Sequence, residues 1–255
     1  MVELSIIIPA YNEEKRIEKT AEDYIKYFKK YDYELIIIPN GCKDKTEDIV
    51  KKLSKKNKQI KYKIIKEAVG KGGAIKEGFR IAQGKLIGFV DADNSTKPRE
   101  FEDLIKNIGK YDCIIASRYI KGAVVKPKQK ITRIIASRAF NLMVRILFGL
   151  RIYDTQCGAK LFKKEVIKRI LPKLDITRWA FDVDLLLQVK KQKYKIKEYP
   201  TKWEDSLGSQ LKIHKAIPEM FLSLTRLRLI NSKFKFIINF YDSLPESIKI
   251  HHKLR

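Results

Sequence analysis

The chain has 255 residues, with 55 Lys and Arg against 30 Asp and Glu, a net charge of +25, and 44% of it is hydrophobic. That length and apolar fraction support a real core in one large domain or two small ones. Three scattered cysteines, Cys42, Cys113 and Cys157, exclude a disulfide framework or metal-type spacing and make a reducing cytoplasm the expected compartment.

The first element, ELSIIIP, is a short β-branched run ended by Pro9 and reads as a strand. It has no basic leader and acids follow it, so the N-terminus is not expected to be a signal peptide. Residues 13 to 30 carry Ile17, Tyr24, Ile25 and Phe28 at helical spacing. YELIIIP repeats the strand pattern. Residues 44 to 55 read as a helix, with Asp44 as N-cap and Glu47 completing a loose capping box. IKYKIIKE is a third strand, GGAIKEGFRIA a helix opened by glycines and KLIGFVD a fourth strand. A short helix follows at 98 to 108, then a fifth strand, YDCIIAS. Such alternation implies βαβ units and a mostly parallel sheet with helices on both faces. Ligands of these sheets bind at the carboxyl ends of the strands, which places PAYNE, PNG and DADNS along one rim.

Beyond residue 117 the composition shifts. Residues 114 to 173 hold 15 Lys and Arg against only Asp154 and Glu165. Residues 129 to 148 put Lys130, Arg133, Ser137, Arg138, Asn141 and Arg145 on one arc of a helix and apolar residues on most of the rest. Residues 211 to 230 are similar, with Pro218 expected in the first turn. Either helix alone reads as an ordinary packing helix. Two basic amphipathic helices in one chain point to an anionic membrane surface, and no stretch approaches the roughly 20 apolar residues of a spanning helix.

Asp91 and Asp93 close the fourth strand in GFVDADNST. Their carboxylates suit a hard cation, Mg²⁺ or Mn²⁺, that can bridge a diphosphate. An Asp-x-Asp turn alone is weak evidence, since Asp and Asn are common after strands. Here it stands with PAYNEE, VGKGGAIKEGF at 69 to 79, SRYIKG at 117 to 122, DTQCGAKLF at 154 to 162 and RWAFDVDLLL at 178 to 187. Together these resemble family 2 glycosyltransferases of the GT-A fold, in particular the dolichyl-phosphate β-glucosyltransferases and more loosely the dolichyl-phosphate mannose synthases.

The resemblance implies an α/β GT-A fold in a single domain over residues 1–230. Residues 1–117 would bind the nucleotide sugar, 118–230 would face acceptor and membrane, and 231–255 would be a tail without an assigned role. By this resemblance Pro9, Tyr11, Glu13, Asn40, Lys71 and Asp91 bind the nucleotide sugar, and Asp91 and Asp93 hold the metal. Asn40 stands where a nucleoside-contacting acid is usual in the family. WEDSLGSQLK, with Trp203, Gly208 and Ser209 and with Asp205 where mannose synthases have an Arg, tilts the donor toward a UDP-sugar over GDP-mannose.

A polyprenyl or dolichyl phosphate acceptor suits the basic half of the chain, with Arg118, Arg133 and Arg138 as candidates for its phosphate. Arg pairs two phosphate oxygens at once. Such a phosphate is already largely ionised at neutral pH, with a second pKa near roughly 6, so no strong base is required, and Asp93 and Arg118 would serve catalysis by positioning and charge stabilisation. Asp182 is assigned to the sugar side, and would be the base if the acceptor were a saccharide hydroxyl. Asp184 is expected to be structural. Asp154, Gln156 and Trp179 are assigned to sugar or acceptor contact. His214, His251 and His252 are too few and too scattered for a metal site. No nucleic-acid-binding motif appears, and a membrane-protein partner stays open.

Overall fold

The computed structural model describes residues 2–127, 131–175, 179–204 and 213–245, with side chains of the last segment from residue 218 onward. Lys130, Arg178, Asp205, Gly208, Ser209, His251 and His252 therefore lie outside the described residues, as does the side chain of His214.

Strands β1 (Leu4–Ala10), β2 (Tyr33–Pro39), β3 (Ile60–Tyr62), β4 (Leu86–Phe89), β5 (Cys113–Ser117), β7 (Lys160–Lys163) and β8 (Ile196–Pro200) form one sheet in the order β3-β2-β1-β4-β7-β5-β8. Helices α1 (Ile17–Phe28), α2 (Thr46–Lys56), α3 (Gly70–Ile81), α4 (Pro98–Asn107), α6 (Lys164–Ile170) and α7 (Phe181–Lys191) interleave with them. Short parallel strands β6 (Val124–Lys126) and β9 (Lys202–Glu204) pair apart from this sheet. β1 and β2 are buried along their whole length, as a strand covered on both faces requires. The fold class is the expected one, α/β with a mostly parallel sheet. The exception is β7, which runs antiparallel to both β4 and β5. Strand order turns at β1, between β2 on one side and β4 on the other, so the carboxyl ends of β1 and β4 border a switch point.

Some boundaries differ from expectation. The third strand keeps only three residues plus one bridge from Asn40 to Ile65, because it is a lysine-bearing sheet edge. The capping box at α2 does not form. Asp44 accepts from the Thr46 backbone N–H at 3.0 Å and hydroxyl at 2.6 Å, while Glu47 pairs with Lys66 instead. Asp44 also accepts from the Glu14 N–H at 3.0 Å, fastening the loop after β1 to α2.

The C-terminal helices are α5 (Ile131–Phe148), α8 (Ile213–Ile230) and α9 (Lys235–Ser243). Pro218 lies inside α8, not in its first turn. In α5 the expected polar arc is not the outer one. Asn141 is buried, and its Oδ1 accepts from the Thr155 N–H at 2.9 Å and hydroxyl at 2.8 Å. Ile131, Ile135, Leu142 and Ile146 stand exposed instead. α9 is latched to α8 by a two-pronged pair between Arg226 and Asp242.

Asp184 is structural, as expected. It lies fully buried in α7, accepts from the Asp175 N–H at 2.8 Å and from Gln188 at 2.9 Å, and burial pushes its carboxyl up to about 6. Between its ordinary value of 3.8 and about 6 the folded chain keeps a proton that the unfolded chain has released, so stability falls as pH rises through that window. The Asp184→Asn variant lacks this loss. Relative to wild type its stability should rise by up to about 3 kcal/mol from pH 4 to pH 7, read from urea unfolding at each pH.

Candidate active site

The loop after β4 is held from below by α1. The Thr20 hydroxyl donates to the Ala92 carbonyl and the Tyr24 hydroxyl to the Thr96 carbonyl, both at 2.8 Å. Asn94 takes a left-handed φ of 60° and donates to Asp23 at 2.7 Å. Asp93 accepts from the Ser95 N–H at 3.0 Å and hydroxyl at 2.6 Å, which fixes the rotation of its carboxylate. Both acids are thus carried by a turn anchored on α1 and on its own Ser95.

A cleft of about 250 Å³ opens over these strand ends, lined by Pro9, Tyr11, Glu13, Asn40, Lys71, Asp91, Ala92 and Asp93. All six residues expected to bind a nucleotide sugar line it, with Asp93 beside them. A larger cleft, about 400 Å³, runs along β3 and α3 past Lys63, Lys66 and Glu77, but contains none of the acids of the rim. Glu13 differs from a simple ribose contact: Arg16 grips its carboxylate at 2.6 and 2.9 Å. Burial raises its carboxyl above the ordinary value, Arg16 opposes the rise, and Asp93 and Asp91 add to it. Asn40 is buried, and its N–H and side-chain amide both donate to the Ala10 carbonyl. Its Oδ1 has no partner, an acceptor waiting at the cleft wall.

Lys71, in the first turn of α3, reaches Asp91 at 2.8 Å and Asp182 at 3.8 Å. Burial works to lower its amine, but the two carboxylates outweigh that and hold it above its ordinary range. Asp182, at the N-terminus of α7, is itself buried and accepts from Lys160 at 2.6 Å. No cluster of three or more His, Cys, Asp or Glu among the described residues could hold a metal by protein alone. Asp91 and Asp93 nevertheless suit Mg²⁺ or Mn²⁺, which bind through one or two carboxylates and complete their shell with water and substrate phosphates. Gly158 makes the cradle: a Cβ there would sit 1.8 Å from Asp91 Oδ2.

On the far side of the DTQCG loop lies the second expected group. Arg118 turns its Nε and Nη2 onto Asp154, at 2.8 and 2.9 Å, and its backbone N–H onto the same carboxylate at 2.9 Å. Asp154 is fully buried, and burial raises its carboxyl less than Arg118 lowers it. Both of its oxygens are engaged by Arg118. Glu198 accepts from the Tyr153 and Asp154 N–H groups and steadies the loop. The Arg118 guanidinium lies 5.3 Å from the ring centres of both Tyr119 and Trp203. Arg133 stands 5.7 Å from Trp203 and Arg138 5.8 Å from Tyr119. The three arginines expected to share a phosphate therefore gather around two aromatic rings. Gln156 Nε2 is buried without a partner. Trp179 is turned to α8, its indole N–H donating to Glu219 at 2.8 Å.

Sequence reasoning missed Lys160 and Gly158 as site residues, although both lie in a quoted motif. The stretch DTQCGAKLF mixes Asp, Thr, Gln and Lys with its apolar residues, so nothing in it marks a buried strand.

The family model described as glycosyl transferase family 2 matches residues 5–171. A dolichyl-phosphate β-glucosyltransferase of Dictyostelium discoideum is 36% identical over 88% of this chain and 73% of its own. The dolichyl-phosphate β-glucosyltransferase of Saccharomyces cerevisiae is 34% identical over 82% and 69%. Among solved structures, glucosyl-3-phosphoglycerate synthase from Mycobacterium tuberculosis, in complex with Mn²⁺, UDP and glucosyl-3-phosphoglycerate, superposes with a TM-score of 0.64. It covers 89% of this chain and 80% of its own at 16% identity, a likeness of fold.

The tight fit of Gly158 against Asp91 is open to test. Gly158→Ala must displace the carboxylate, so a crystal structure of the variant should show the Asp91–Lys71 pair opened beyond hydrogen-bond distance. Overpacking of this kind should cost roughly 1–3 kcal/mol in urea unfolding.

Proposed function

The chain belongs to glycosyl transferase family 2, and on that footing we propose that it transfers glucose from UDP-glucose to dolichyl or another polyprenyl phosphate. The observation that carries this reading is the DTQCG loop, which abuts Asp91 through Gly158 and holds Arg118 through Asp154. One short loop thus joins the cleft over the strand ends to the arginine cluster, as transfer from a nucleotide sugar to a phosphate requires. The UDP of the mycobacterial structure and the names of the curated relatives supply the donor and acceptor classes.

The chemistry follows from the acceptor. An ionised phosphate oxygen attacks the anomeric carbon directly, and the glycosidic bond to the diphosphate breaks with inversion. No group need remove a proton from the nucleophile. Arg133 and Arg138 bind and orient the acceptor phosphate. Arg118, held rigid by Asp154, adds fixed positive charge beside them. Lys71 faces the diphosphate side of the cleft. A divalent cation held by Asp91 and Asp93 would neutralise charge on the departing UDP. The remaining catalytic effect is positioning. The second reading, a hydroxyl acceptor with Asp182 as base, has weaker support, because two ammonium groups already engage that carboxylate.

The acceptor's tail calls for a membrane surface. Ile131, Ile135, Leu142 and Ile146 of α5, Phe221 and Leu222 of α8, and Phe236, Ile237 and Phe240 of α9 are all exposed. Arg138, Arg228, Lys233 and Lys235 are exposed among them. This mixture suits an interfacial position on anionic lipid. No helix among the described residues is long and apolar enough to cross a membrane. The three free cysteines suit the reducing, cytoplasmic face.

The test is transfer of labelled sugar into an organic-extractable product, with UDP- and GDP-sugars, polyprenyl phosphate in detergent, and Mg²⁺ or Mn²⁺. UDP-glucose should be the preferred donor, and chelation or Asp93→Ala should abolish product. Arg133→Ala and Arg138→Ala should each raise the acceptor KM by roughly tenfold or more, the worth of about 1.5–3 kcal/mol for a hydrogen bond to a charged group. Product only with a saccharide acceptor would overturn the phosphate reading.

A further inference from the structure

Lys160 is the most unusual cation of the molecule. It sits on β7 in the middle of the sheet, paired in register with Phe89 of β4 and Ile115 of β5. Its side chain is 0% exposed. An ammonium is buried so deeply only if it is paired and hydrogen-bonded. It donates to the Cys157 carbonyl at 2.7 Å and to Asp182 Oδ1 at 2.6 Å, and lies 5.3 Å from the centre of the Phe89 ring. The other oxygen of Asp182 faces Lys71 at 3.8 Å, and Lys71 in turn holds Asp91 at 2.8 Å and stands 5.7 Å from the same ring.

The result is a row of alternating charge, Lys160, Asp182, Lys71, Asp91, running from the core of the sheet to the cleft. Its asymmetry is informative. Lys71 is closer to Asp91 than to Asp182, although Asp182 is the more buried of the two acids.

We propose that Lys160 is a positioning residue for donor binding: by satisfying Asp182 from beneath, it leaves the Lys71 ammonium at the cleft, where it meets the donor's diphosphate. Without the charge of Lys160, Lys71 would be the one close cation left to Asp182 among the described residues and would be pulled from the cleft. Displacement of about 1 Å at such a group costs on the order of a hundredfold in rate. This role for Asp182 is that of an intermediate counter-charge. The inference rests on the nucleotide-sugar reading of the cleft.

The experiment is a double-mutant cycle on Lys160→Met and Asp182→Asn, read as UDP affinity in Mn²⁺ by calorimetry, with donor and acceptor KM alongside. Wild-type binding of UDP is the control for the cleft reading itself; its absence would sink that reading, and the inference with it. Given that binding, Lys160→Met should weaken UDP by roughly tenfold and raise the donor KM while leaving the acceptor KM in place. Lys160→Met/Asp182→Asn should recover most of the loss, since nothing then pulls Lys71 back. Unchanged UDP affinity in folded Lys160→Met, or strictly additive losses in the double variant, would overturn the proposal and leave Lys160 a structural cation. If Lys160→Met does not fold, the double variant, which leaves no unpaired buried charge, is compared with Asp182→Asn alone. Equal UDP affinities agree with the proposal. A further loss specific to Lys160 contradicts it.

Discussion

Asp91 follows a strand buried in the centre of the sheet, and Lys71 faces it at 2.8 Å. The rest of the site is arranged around that pair. Lys71 sits in the first turn of α3, a helix that packs against β1 and β2 and meets α7 where a Cβ on Gly72 would strike the Phe181 ring at 2.5 Å. Gly158 lets the DTQCG backbone come down on the Asp91 carboxylate from the other side. α1 reaches up through Thr20 and Tyr24 to hold the turn that carries Asp93. Four separate stretches of chain therefore converge on one ion pair, and each does so through a residue whose size or hydroxyl the contact demands.

Much of this was legible in the amino-acid sequence because it obeys strong local rules. The buried strands β1 and β2 announce themselves as β-branched runs and β4 as an apolar run, with α1 marked by helical spacing and α3 by its opening glycines. The rim position of Pro9, Asn40 and Asp91 follows from strand polarity alone. β7 was not legible. It is four residues long, two of them lysines, and its antiparallel insertion between β4 and β5 depends on partners more than 40 residues away. Missing the strand meant missing Lys160, because a lysine in a motif reads as a surface group until it is known to lie inside a sheet. α9 is nine residues long with a single buried position, Ile238, so its sequence carries little sign of what it packs against.

The arc of α5 shows a different limit. A helical wheel sorts residues by polarity, and on that basis Asn141 belongs with the arginines. The fold instead gives Asn141 two hydrogen-bonding partners on Thr155, so the polar residue goes in and Ile131, Ile135 and Ile146 go out. Polarity predicts orientation only when water is the sole alternative to the core. A buried hydrogen-bonding partner, or an apolar phase on the outside, reverses it. The first condition holds on this helix, since Asn141 is hydrogen-bonded to the loop that carries Asp154.

Two of the buried acids of this strongly basic chain each hold a long cationic side chain. Asp154 is wholly buried and spends both oxygens on Arg118. Asp182 is shared between Lys160 and Lys71. Neither carboxylate is turned toward open solvent. Their common effect is to take away the freedom of a long cationic side chain and fix where its charge is felt. Handling a phosphate nucleophile and a diphosphate leaving group at once demands that arrangement: mobile cations would collapse onto whichever anion arrived first, whereas cations tethered from behind hold two anions apart at a set distance. The acids of this site are best understood as the frame for its positive charge.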